Sequence, residues 1–361
     1  MEPQVTQNTF CTYTGAKDDF DTTIFFISGN PGLIGYYHPF LSLLAQNLSG
    51  NEPQDESQSQ AEKTSFQIYG CSLGGFHLDS NNESKDSKHL YDLEDQIRFV
   101  HGNLVALMRG NSDITTSASA SASASSAPNR RKVILIGHSV GTYIAMEILR
   151  RHREGIEIES PSPDLDFGLS STFDIIGGIM LFPTVKDIAH SPSGKKLTNL
   201  LSFLPHLALL VSFLARILTS LLPSPILKSV IRAVMNDPPD HALNTTFEFL
   251  KSSGGVRQAL HMAADEMRTI TSDKWSDDIW GVAHTQEPLT RMFFYFGRND
   301  HWVAEKTRDE IIALRGQNGG TVGWSGPKMS VCEEGLPHAF CLKHNDIMVQ
   351  KVGNMIRDIV K

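Results

Sequence analysis

Cysteine is scarce and scattered. Cys11, Cys71, Cys332 and Cys341 form no CxxC pair, which argues against a disulfide framework and for reduced thiols in a cytosol-facing protein. An apolar leader is also missing. Met1–Asp21 is polar and has no h-region, so no secretory signal peptide is expected. The chain has no Lys/Arg-rich block and no basic tail, and its formal net charge is -8, which removes nucleic acid from the expected partners. One stretch lacks charge altogether, Leu200–Ala215 (LLSFLPHLALLVSFLA). What is present is ample apolar material. With 40% hydrophobic residues in 361, the chain can bury a sizeable core and still carry a long insertion.

Short apolar, β-branched and aromatic runs alternate with amphipathic ones. Thr22–Ser28 reads as a buried strand ending at the punctuation Gly29-Asn30-Pro31-Gly32. Pro39–Leu48 reads as a helix, Phe66–Ser72 as a strand and Leu90–Arg109 as a helix. Lys132–Gly137 (KVILIG) is a strand running into a helix at Val140–Arg151. Asp174–Phe182, Arg291–Gly297 and Lys328–Cys332 are further strands, with helices at Val303–Leu314 and Asn345–Val360. Asn51–Thr64 and Asp79–Lys88 are polar and read as loops. Ser112–Arg130, with its serine-alanine repeat, reads as a disordered insertion. The pattern predicts an α/β fold, a mostly parallel sheet flanked by helices. Residues 1–182 and 291–361 would form the core, and 183–290 a hydrophobic helical lid or lipid-surface insertion.

Gly137-His138-Ser139-Val140-Gly141 is a GxSxG pentapeptide. Alone it is weak, but here it follows an apolar strand and opens a helix, which is the context a nucleophile elbow requires. That identifies Ser139 as the candidate nucleophile and the fold as an α/β-hydrolase. The amide of Val140, at the helix start, can face a developing oxyanion.

A serine hydroxyl needs a base, and the base needs an orienting carboxylate. In this fold the order along the chain is Ser, acid, His. His338, in Gly335-Leu336-Pro337-His338-Ala339-Phe340, falls between the last strand and the closing helix. His138 is too near Ser139 in sequence to act as its base and is expected to pack beside it. Asp300 follows the RMFFYFG strand, and Asp187, after the preceding strand, is its rival. A second oxyanion donor is expected from the loop after the first strand. Pro31 has no amide hydrogen, so Asn30 is the candidate. The chemistry requires no metal and no cofactor.

The uncharged stretch would span about 24 Å as a helix, short of a hydrocarbon core of about 30 Å. Leu200, Leu204, Leu207, Val211, Leu214, Leu218 and Leu221 follow helical spacing, with Ser202, His206, Arg216 and Ser220 on a narrow polar side. A helix lying in a lipid surface, a hairpin broken near Pro205, Pro223 and Pro225, and a lid over an apolar pocket all fit. Each points to an apolar lipid substrate.

Together these segments resemble the lipid-droplet-associated hydrolase family. The matching residues are Ile27-Ser28-Gly29-Asn30-Pro31-Gly32, then Tyr36-Tyr37 and Phe40, and Gly137-His138-Ser139-Val140-Gly141. Asn299-Asp300-His301-Trp302 and Pro337-His338-Ala339-Phe340 complete the set. The resemblance implies a Ser139–Asp300–His338 triad, turnover of sterol esters or acylglycerols, and residence on the droplet monolayer or the endoplasmic reticulum membrane surface. The serine-alanine insertion and His301 depart from the family pattern. Two alternatives stay open: a droplet-organising protein with little esterase activity, and a thioesterase or amidase on the same fold.

Overall fold

The structure, a computed structural model, describes residues 3–16, 20–50, 64–78, 89–118, 130–156, 173–203, 207–282, 290–316 and 326–361. The polar stretches Asn51–Thr64 and Asp79–Lys88 and the serine-alanine repeat fall almost wholly outside the described residues.

The strands are β1 (Gln4–Val5), β2 (Thr9–Tyr13), β3 (Thr22–Ile27), β4 (Phe66–Cys71), β5 (Arg131–His138), β6 (Phe173–Leu181), β7 (Arg291–Phe296) and β8 (Lys328–Val331). Among the described residues they form one sheet in the order β1-β2-β4-β3-β5-β6-β7-β8. From β4 to β8 all pairings are parallel, while β1 and β2 join antiparallel at one edge. The sequence pattern missed this edge pair because β1 is exposed and β2 is half polar. Neither presents the continuous apolar run of a strand buried on both faces.

The central strands are such runs, and their alternate residues face two cores. Phe25, Ile27, Val133 and Leu135 pack with α2 (Leu93–Ala118) and α3 (Val140–Glu154). Ile24, Phe26, Ile134 and Ile136 pack with α1 (His38–Ser49) and α11 (Asn345–Val360). The backbone of α2 continues to Ala118, so helix runs into the stretch expected to be disordered from Ser112.

Between β6 and β7 the chain forms α4 (Pro192–Phe203), α5 (Leu207–Leu221), α6 (Ser224–Val234), α7 (Asp240–Lys251), α8 (Gly255–Thr269) and α9 (Asp277–Trp280). This stretch is firmly tied to the core. Met262, Trp275 and Trp280 belong to the same buried cluster as Leu135 and Phe294. The Trp275 indole N–H donates at 2.7 Å to Glu147, a buried carboxylate on α3 that Arg150 and Lys274 also pair with. Leu227, Ile231, Leu243 and Phe247 make a separate small core between α6 and α7. α10 (Glu305–Arg315) follows β7.

Ile136 is fully buried in β5 beneath the Ser139 turn. Ile136→Ala is expected to cost about 2–5 kcal/mol, read as a lower urea midpoint with an unchanged slope.

Candidate active site

β5 ends at His138 and α3 begins at Val140, leaving Ser139 alone at the turn with φ 55° and ψ -127°. A non-glycine residue held there stores about 1–3 kcal/mol of strain. The surroundings enforce it. The Ser139 N–H donates to the Leu181 carbonyl at 3.0 Å, and the Thr142 amide and hydroxyl both return to the Ser139 carbonyl, at 2.9 and 2.6 Å. A Cβ on Gly141 would stand 2.4 Å from the Ile27 carbonyl oxygen, so only glycine lets α3 start this close to the end of β3.

The same approach brings the loop after β3 against the serine. A Cβ on Gly29 would lie 2.9 Å from the Ser139 Cβ. The Gly29 N–H already donates to Tyr37 Oη at 3.2 Å. The Asn30 and Val140 amides find no acceptor among the described residues, which leaves both available to an oxyanion. The Asn30 side chain is engaged on its other side: its Nδ2 donates to the Ala259 carbonyl and to Glu266 Oε1, both at 3.0 Å and both on α8. Burial pushes the Glu266 carboxyl up to about 8, so it is protonated at neutral pH.

The structure brings Ser139, His338 and Asp300 together. His338 Nε2 lies 2.9 Å from Ser139 Oγ, and its Nδ1 lies 2.8 and 2.9 Å from the two Asp300 oxygens. A carboxylate accepts, so Nδ1–H donates and Nε2 is left to receive the serine proton. The Asp300 side chain is 1% exposed and also accepts the Trp302 N–H at 2.8 Å. The rival Asp187 lies apart from this group and faces His190 at 3.6 Å. Ser139, Asp300, His338 and Asn30 all stand in loops at the C-terminal ends of parallel strands, where open α/β sheets hold their ligands. Tyr37 and Glu266 were not singled out as site residues, since nothing local in a tyrosine or a helical glutamate announces a contact so distant in sequence. Among the described residues no cluster of His, Cys, Asp or Glu could hold a metal ion, and none of the four cysteines is in a disulfide.

Comparison with known proteins agrees with this architecture. The family model described as lipid-droplet associated hydrolase matches residues 21–341. The lipid droplet-associated hydrolase of Gallus gallus is 25% identical over 92% of this chain and 83% of its own. That of Homo sapiens is 24% identical over 93% and 84%. Among solved structures, the peroxisomal alpha-beta-hydrolase Lpx1 of Saccharomyces cerevisiae superposes with a TM-score of 0.50 at 12% identity, covering 100% of this chain and 86% of that one. Haloalkane dehalogenase DbeA from Bradyrhizobium elkani has the same score at 11% identity, covering 99% and 97%. These two likenesses establish the α/β-hydrolase fold.

Glu266 gives the site region a signature in stability against pH. Its folded pKa is raised to about 8, above its ordinary value of 4.5, so between the two the folded state holds a proton that the unfolded chain has released. The resulting stability is complete below the unfolded value, falls as pH rises, and is gone above about 8. Glu266→Gln is expected to flatten that fall, measured as melting temperature of both proteins between pH 4 and pH 9, roughly the window these two values bracket.

Proposed function

The chain belongs to the lipid-droplet associated hydrolase family, and from that premise we propose that it is a serine hydrolase cleaving carboxylic esters of apolar lipids, sterol esters or acylglycerols, at a lipid-droplet surface. The observation that carries this is the unbroken contact from Ser139 Oγ through His338 to Asp300.

Ser139 Oγ attacks the ester carbonyl as His338 Nε2 takes its proton. Asp300 keeps the imidazole in the tautomer with the proton on Nδ1 and stabilises the imidazolium that forms. The Asn30 and Val140 amides donate to the oxyanion of the tetrahedral intermediate. His338 returns the proton to the departing alcohol, leaving an acyl group on Ser139. Water, deprotonated by the same imidazole, then releases the acid. The arrangement would serve a thioester equally well. The family's droplet association favours an apolar lipid ester.

The surface supports the location. α5 and α6 leave a run of large apolar side chains in solvent, with Phe213 61%, Leu214 53% and Leu221 75% exposed beside Leu210, Ile226 and Val230. A patch of this kind marks a contact surface. No helix among the described residues is long and apolar enough to cross a membrane. The helical run breaks at Leu222–Pro223 into two helices, so the face suits lying in a monolayer. The same face favours a second reading, a droplet-organising role in which catalysis is minor.

A fluorophosphonate probe is expected to label the wild type and not Ser139→Ala, and labelling that survives the substitution removes Ser139 from the role. Asp300→Asn should lower turnover of a soluble ester by about 10,000-fold, since an asparagine no longer selects the required tautomer. Phe213→Asp with Leu214→Asp should abolish binding to phospholipid-coated triacylglycerol emulsions and spare turnover of the soluble ester. In cells lacking the protein, rescue of droplet size by Ser139→Ala would favour the organising role instead.

A further inference from the structure

A second hydrogen-bonded chain runs beside the first. The Gly29 N–H donates to Tyr37 Oη at 3.2 Å, Tyr37 Oη lies 2.7 Å from His138 Nδ1, and His138 Nε2 lies 2.9 Å from the backbone carbonyl of His338. The directions follow from the acceptors. A carbonyl cannot donate, so the His138 proton sits on Nε2. Nδ1 is then an acceptor, and the Tyr37 hydroxyl donates to it. Burial, reinforced by the neighbouring His338, holds His138 down at about 3, so its ring stays neutral. Burial, with the Cys341 thiol beside it, holds the Tyr37 phenol well above its ordinary range, so it stays protonated. Both side chains are 4% exposed. The His138 ring is also wedged between Phe340, edge-on at 5.2 Å, and Phe182, at 5.9 Å.

We propose that Tyr37 and His138 are positioning residues that fix the backbone of His338, an inference that rests on the serine-hydrolase reading above. His338 lies in the loop between β8 and the short 3-10 turn Phe340–Leu342, where no strand ladder holds it. Asp300 anchors its imidazole and His138 anchors its carbonyl. Both anchors are needed to keep Nε2 at hydrogen-bond distance from Ser139, because proton transfer weakens steeply with misplacement. His138 is in turn held by the Tyr37 hydroxyl, which donates to its Nδ1, and Tyr37 is held by the amide of Gly29. The loop bearing the Asn30 amide and the loop bearing the base are therefore set relative to each other through two buried rings. Neither ring bonds to Ser139 Oγ, so the role is one of placement and not of proton relay.

The test combines hydrolysis of p-nitrophenyl butyrate, a small soluble ester, with nitrogen-15 spectra of histidine-labelled full-length protein. His138→Leu is expected to lower kcat about 10- to 100-fold with KM unchanged. His138→Gln, whose side-chain amide can donate to the same carbonyl, should recover most of the loss. Tyr37→Phe should lower kcat less, and the His138 Nδ1 resonance should shift as its hydrogen-bond donor is lost while the proton stays on Nε2. A wild type inert to both ester and fluorophosphonate overturns the hydrolase reading, and this role with it. A reactive wild type beside an equally reactive His138→Leu overturns the positioning role alone. Should His138→Leu fail to fold, Tyr37→Phe decides: wild-type kcat with an unshifted His138 spectrum overturns the proposal.

Discussion

Ser139 occupies a backbone conformation that a free chain would leave at once, and most of the architecture can be understood as the means of holding it there. Strain of about 1–3 kcal/mol at one residue is a sizeable fraction of the roughly 5–15 kcal/mol by which a domain is stable. It persists because β5 lies between β3 and β6 in the middle of the sheet, so the strand leading into the turn cannot shift. On the far side, Gly141 lets α3 press directly against the carbonyls that end β3. The resulting proximity of α3, β5 and the end of β3 brings the Asn30 loop to Ser139. The nearness of the Asn30 loop to Ser139 is thus a consequence of the same close approach that creates the turn.

The central strands and the meeting of Ser139, Asp300 and His338 could be anticipated in the sequence for a common reason: each is signalled locally. KVILIG, TTIFFIS and RMFFYF are continuous apolar runs because parallel strands are covered on both faces, and a strand–GxSxG–helix order is a short-range pattern. Asp300 and His338 could be placed because they follow strands, with Asp300 preferred to its rival Asp187 on position alone. The contact of Asp300 with His338 distinguishes them. The edge strands β1 and β2 carry little apolar signal. The bonds from Asn30 to Ala259 and Glu266 join residues 229 and 236 positions apart, and no periodicity reports such a meeting. Tyr37 stood out as half of a Tyr-Tyr motif, but its role as a link to His138 depends on a distance only the fold sets.

Three buried carboxylates show how differently one chain can manage the same cost. Glu147 is compensated by cations and the Trp275 indole, which hold it below the usual carboxylate range despite its burial. Asp300 accepts an imidazole N–H and a backbone N–H, suiting it to orient a base. Glu266 has an amide partner but no cation bonded to it, and burial pushes it toward the neutral form. Glu266 changes charge near neutral pH, and it is the one bonded to the loop that carries Asn30.

The exposed apolar face and the candidate active site are joined by a single helix. α5, which carries much of that face, packs on α8, and α8 supplies both partners of the Asn30 side chain. A water-soluble substrate would gain nothing from this arrangement. For an apolar ester the situation is reversed, because leaving a lipid phase for a site reached through water exposes its acyl chains, at roughly 25 cal/mol per Å² of apolar surface. Under the proposed function, seating the apolar helix in the lipid surface would hold the protein at the substrate's own phase and lower that barrier. The exposed leucines and phenylalanine then cease to be a liability of the fold. Under the proposed function they are the means by which the triad would reach an ester that scarcely exists in water, and the helix that bears them rests on the one bonded to the Asn30 side chain.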